Sequence, residues 1–205
     1  MIYTAADIKN DLVELNVKDF YKKYLLRSEN WYFEKILNFD EKDVIHAVDD
    51  FRMIVSDALD LGFNNVIMVG SAKLGVSLAP KKLFKEFVEE GEAASDIDIA
   101  IVSPRLFDYY WMLLRKSYDI TNKKYYGYIS RAIYRGYISD IDLLNIKECN
   151  SDWKNRSSES TRNLQRRMYF RHEIHYRIYR DWSDMEEYHL QSIEDAKGWL
   201  SRNGK

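Results

Sequence analysis

Cysteine occurs once in this chain of 205 residues, as Cys149. An internal disulfide is therefore excluded, and a lone thiol fits a reducing cytoplasm, where the protein is expected to reside. There are two prolines and eight glycines, which leaves little material for linkers. The four histidines form no His/Cys cluster at zinc spacing. Net charge is −2, so the chain as a whole has no electrostatic pull toward nucleic acid. No apolar run approaches the ~20 residues that span a bilayer, so no membrane partner is expected. Asp7, Asp11 and Glu14 in the first turns do not suit a signal peptide. Internal repeats and low-complexity tracts are absent.

What is present points to one folded unit. The apolar fraction of 46% is enough for a sizeable core. Residues 1–61 read as a helical N-terminal part, and 62–205 as a core with further helices. Thr4 followed by Asp7 is a helix-start signal, with Ile8, Leu12 and Leu15 at helical spacing behind it. Helical patterns continue over 16–26 and 28–37. Asp40 opens a longer helix to Leu61, with Val44, Val48, Phe51, Val55 and Leu59 on one stripe and Gly62 as its stop. Ser103-Pro104 opens another to about residue 118. A tyrosine-rich helix is expected over 122–135, ended by Gly136. Residues 139–165 are polar and read as loops with one helix over about 151–166. Residues 171–180 alternate as a strand, with Ile174, Tyr176 and Ile178 on one face and Glu173, His175, Arg177 and Tyr179 on the other. Ser183 and Glu186 form a capping-box pattern for a final helix ending near residue 199.

The chemistry-bearing stretch is 66–102. Val66-Ile67-Met68-Val69 is an apolar strand that runs into Gly70-Ser71. Such a turn offers backbone N–H groups and a hydroxyl to phosphate oxygens. Residues 95–102 alternate with period two, so Asp96, Asp98, Ala100 and Val102 share one face and Ile97, Ile99 and Ile101 the other. Two carboxylates side by side repel, and a fold that keeps them neutralises them with a metal or a basic neighbour. Their hard oxygens suit Mg²⁺. A solvated strand face beside Lys or Arg is the bland reading of the same pair.

An apolar strand, Gly70-Ser71, a helix, then Asp96-x-Asp98 on the next strand resembles the signature of the polymerase-β-type nucleotidyltransferase superfamily. The resemblance is close over about 60–105 and holds only in outline elsewhere. One departure is the 25 positions between Ser71 and Asp96, longer than the family pattern. The short helix after the turn would cover 72–78, and the excess, 79–91, reads as an inserted loop between Pro80 and Gly91.

The resemblance implies an α+β fold in which a small mixed sheet is flanked by N- and C-terminal helices. It implies transfer of a nucleoside monophosphate from an NTP such as ATP to a hydroxyl, with Mg²⁺ or Mn²⁺ held by Asp96 and Asp98. Gly70 and Ser71 would hold the β- and γ-phosphates, and Lys73 reaches a phosphate as a point charge. A third metal acid belongs on a neighbouring strand. Glu173 is the first candidate and Asp142 the second. The acceptor stays open among protein, nucleotide, small molecule and RNA. The basic region 154–180, with Arg156, Arg162, Arg166, Arg167, Arg171, Arg177 and Arg180 among tyrosines, is a candidate surface for a triphosphate or nucleic acid. Two other functions stay open: a non-catalytic relative that binds or regulates, and a cyclic or linear oligonucleotide synthase.

Overall fold

The computed structural model describes residues 3–120 and 122–203. Helices α1 (Ala5–Glu14), α2 (Val17–Tyr21) and α3 (Glu41–Leu59) come first, with π-helical turns at Lys22–Leu26 and Tyr32–Ile36 between the last two. Strand β1 (Val66–Val69) leads into a short α4 (Gly70–Leu74), and β2 (Ile97–Val102) follows a long loop. Then come α5 (Pro104–Lys116), α6 (Lys123–Tyr134), β3 (Tyr137–Ser139), α7 (Asp140–Asn145), α8 (Lys147–Met168), β4 (Ile174–Tyr179) and α9 (Trp182–Asn203). The chain is thus α+β, with a four-stranded mixed sheet in the order β1-β2-β4-β3. β1 and β3 run antiparallel to their neighbours, while β2 and β4 are parallel. That parallel pair requires a long crossover, which α5 to α8 provide.

The period-two strands sort their side chains as the alternation demands. Ile97, Ile99, Ile101, Tyr176 and Ile178 join the main core with residues of α3, α5 and α8. Ala100, Val102 and Tyr179 point the other way, where Met185 of α9 packs on them. The face that carries Asp98 is therefore roofed, beyond that residue, by α9. Its stripe Met185, His189, Ile193, Ala196 recurs at helical spacing and is buried along its length. The last two also pack on Ile8, Leu12 and Phe20. Lys197 donates to the carbonyls of Leu12 and Leu15, neutralising the end of α1.

Several elements differ from the sequence reading. The α1 capping box on Thr4 and Asp7 is present. α3 ends before Gly62, because Asp60 itself adopts the left-handed conformation (φ 54°). α4 stops at Gly75, four residues early, since φ is +80° there and the Trp31 ring lies against the site of any Cβ. The helix expected over about 151–166 is present and longer, as α8, while α7 and the first turn of α8 take the place of the loops expected before it, and Tyr137–Ser139 adds an unforeseen edge strand. Serine and asparagine content suggested loops, but Cys149, Trp153, Ser160 and Leu164 form a buried stripe along α8. α9 is capped by Asp181, whose Oδ1 accepts from the Asp184 N–H at 2.9 Å, two residues ahead of the expected Ser183.

A candidate nucleotide cleft at the strand ends

The site is built where β1 turns. Val69 pairs with Asp98 in the antiparallel register, so the next residue, Gly70, lies against the Asp98 side chain. Gly70 has φ +71°, and a Cβ there would sit 2.6 Å from Asp98 Oδ2. Only glycine combines this conformation with this approach. On the other side Asp98 pairs with His175 and Ala100 with Arg177, in parallel register. Arg177 Nη2 stands 3.7 Å from Asp98 Oδ1.

These strand ends open into a cleft of about 560 Å³, within the size range of small-molecule sites. Gly70, Ser71, Asp96 and Asp98 form its floor with His175, Arg177, Ser139 and Asp140. Tyr188, His189 and Ser192 of α9 form one wall, and Lys82 and Lys85 of the 79–91 loop another. That loop is folded back, with Ser77 and Lys85, and Gly75 and Phe87, joined by backbone hydrogen bonds of 2.9 and 2.8 Å.

Charges in the cleft are mutually adjusted. Burial raises the Asp98 pKa; Arg177 pulls it back down and Asp96 pushes it up further. Asp140 Oδ1 lies 3.5 Å from His175 Nδ1. That carboxylate, working against burial, raises the His175 pKa to about 8. Burial, with help from Arg177, lowers the His189 pKa to about 4.

The predicted site residues divide. Gly70, Ser71, Asp96 and Asp98 come together on one cleft. Asp96 precedes the first residue of β2 and is exposed at the rim. Lys73 is a correction: it does not line the cleft. Its buried ammonium donates to the carbonyls of Arg27 and Glu29, tying α4 to the N-terminal part, and desolvation lowers its pKa to about 8. Glu173 flanks β2, its carbonyl accepting from the Ile97 N–H at 2.8 Å. Its side chain is 76% exposed and approaches His175 Nε2 at 3.7 Å. Among the described residues no group of three or more His, Cys, Asp or Glu is placed to hold a metal ion. Asp142 lies outside this cleft; its neighbour Asp140 is the acid inside it. The Ser139-Asp140 step was the available signal; together with Asp142 it reads as a turn or helix start, and α7 does begin at Asp140. Of the basic region, Arg177 enters the cleft, while Arg156 pairs with Asp152 and Arg180 with Asp184.

Gly70→Ala is expected to cost about 1–2 kcal/mol of stability through its left-handed backbone and to rotate the Asp98 carboxylate away. Denaturant unfolding checks the first effect, and nucleotide binding the second. Unchanged values for both would mean the turn is not constrained by its φ or by Asp98.

No family model matches the chain, and neither the curated proteins nor the solved structures give a match. Among the described residues, no helix is long and apolar enough to cross a membrane.

Proposed function

We propose that the cleft binds a nucleoside triphosphate and transfers its nucleoside monophosphate to an acceptor hydroxyl, as members of the polymerase-β-type nucleotidyltransferase superfamily do. The supporting observation is the contact of the Gly70 turn with Asp98 at the end of paired strands, with Asp96 beside it at the rim. Ser71 and the backbone of the turn would hold the β- and γ-phosphates. The acids fit a hard divalent cation: two carboxylates in one cleft, one of them raised in pKa by burial and by the other. Asp96 and Asp98 would hold Mg²⁺ or Mn²⁺, which when bound supplies charge neutralisation for the triphosphate. Arg177 and the lysines of the loop add fixed positive charge for the pyrophosphate that leaves. The acceptor oxygen forms its bond to the α-phosphorus as the bond to pyrophosphate breaks, and the hydroxyl proton passes to solvent.

A second reading, a relative that binds nucleotide without turning it over, is favoured by the residues beside Asp98. His175 and Arg177 occupy the neighbouring strand, where a further carboxylate would strengthen a metal site. Incubation with labelled NTPs and Mg²⁺ or Mn²⁺, with and without cell extract, separates the two. Pyrophosphate release with label transfer supports the first. Thermal stabilisation without transfer supports the second. At a hundred times Kd, NTP with Mg²⁺ is expected to add about 2.7 kcal/mol, or a rise in Tm of about 5 °C or more, over either component alone. No shift with any NTP would remove both readings.

A further inference from the structure

A second cleft, of about 530 Å³, lies between α6, β3 and α7. It shares Arg135, Ser139, Ile141 and Arg177 with the first, so occupants of the two would abut. Its remaining lining differs in kind. Tyr125 and Tyr128 rise from α6 with Arg131 one turn on, and Tyr137 comes from the edge strand. Tyr128 is 68% exposed, so its ring is open to a ligand in the cleft. Arg131 is exposed too, and no side-chain hydrogen bond or ion pair holds its guanidinium among the described residues. Tyr128 and Arg131 are three apart on one helix, which sets them on the same face. Cations in the cleft, Arg131, Arg135 and Arg177, outnumber its one acid, Asp142.

We propose that this second cleft is the acceptor site and that the acceptor is a nucleotide. Its base stacks on Tyr128, its phosphate sits on Arg131 and Arg135, and its hydroxyl faces the Asp96/Asp98 end through the shared boundary. Aromatic faces interleaved with arginines fit both parts of a nucleotide at once: the ring accepts any base and the guanidinium pairs with phosphate. The acceptor role rests on the transferase reading above; the binding of a nucleotide does not. The same chemistry is offered by a free mononucleotide and by the end of a single strand. The cationic stretch 154–180 contributes only Arg177 to this cleft.

The test is fluorescence anisotropy with labelled hexa-adenylate and hexa-uridylate, without NTP or divalent cation, with AMP as competitor. The wild-type protein is expected to bind at low salt and to release as salt rises. Tyr128→Ala and Arg131→Gln should each weaken binding at least about fivefold, the low end of what a base-on-aromatic stack is worth. Tyr128→Phe, which keeps the ring, should restore it. Both positions are exposed, so the variants will fold. Tyr134→Ala, on the same helix, 91% exposed and lining neither cleft, should bind the strand as wild type does, which ties the effect to this cleft. Displacement by micromolar AMP identifies a mononucleotide acceptor, and binding of the strand alone identifies a strand end. The inference is overturned if neither strand nor AMP binds, or if strand binding is unchanged in Tyr128→Ala and Arg131→Gln. Label transfer to protein without nucleotide binding would also overturn it. Loss of NTP turnover in a protein that still binds the strand would instead count against the transferase reading alone.

Discussion

Asp98→Asn is expected to lower NTP-dependent transfer at least about a hundredfold, the scale on which removing one electrostatic stabiliser lowers turnover. The fold should survive the change. Asp98 has a pKa raised first by burial, so its ionised form at neutral pH weighs against the folded state rather than for it. Asparagine keeps the shape beside Gly70 and still offers an oxygen toward Arg177, whose Nη2 stands 3.7 Å from the carboxylate. Stability in urea should therefore stay within about 1 kcal/mol of wild type. Stabilisation by NTP should lose its dependence on Mg²⁺. Full turnover in this variant, with an unchanged requirement for Mg²⁺, would place the chemistry elsewhere on the molecule.

Acid lability is the second large effect, and it arises from His189. The imidazole is buried on α9 with Tyr21, Tyr188 and Tyr179 rings around it at 6.3, 5.3 and 6.1 Å, and its Nε2 has no hydrogen-bond partner among the described residues. Burial, then the Arg177 charge, holds its pKa near 4, against 6.5 for the free side chain. The unfolded chain takes up a proton near pH 6.5 that the folded protein refuses until about pH 4. Stability attributable to His189 is therefore present above pH 6.5 and is lost progressively as pH falls to 4. The full loss amounts to about 3 kcal/mol. His189→Phe, which keeps an aromatic ring in the cage, should remove most of that slope. The measurement is urea unfolding at pH 7, 5.5 and 4.5 for both proteins. Parallel pH profiles would show that His189 is not the group responsible.

Both predictions depend on residues whose roles were legible to different degrees. Local periodicity was enough for β1, β2, β4 and the capped helices, because a strand with one buried face and a helix with one apolar stripe must each write that pattern into the chain. The Gly70-Ser71 turn and the Asp96/Asp98 pair were equally visible, since their spacing is local. Of the region 139–165 only the helix over about 151–166 was legible, because α7 and the full length of α8 are held by tertiary burial rather than by propensity. Trp153 and Leu164 pack on the core while serines and asparagines fill the remaining faces.

The roof over the strands, and with it the cleft, was beyond a sequence reading. Nothing local in residues 182–203 says that α9 lies on the face carrying Asp98, because which of two amphipathic surfaces meet is a long-range choice. The same holds for Lys73 and Asp140. Lys73 follows the Gly-Ser turn closely enough to suggest a phosphate ligand. Its direction, however, is set by the carbonyls of Arg27 and Glu29, more than forty positions away in the chain. Asp140 became the acid beside His175 only when β3 paired with β4 and delivered its end into the cleft. Three of the four strands, the turn and the paired carboxylates are legible in the chain, because each is encoded within a few residues. The tertiary structure decided which charges share a site, because that depends on pairing and packing between segments distant in the chain.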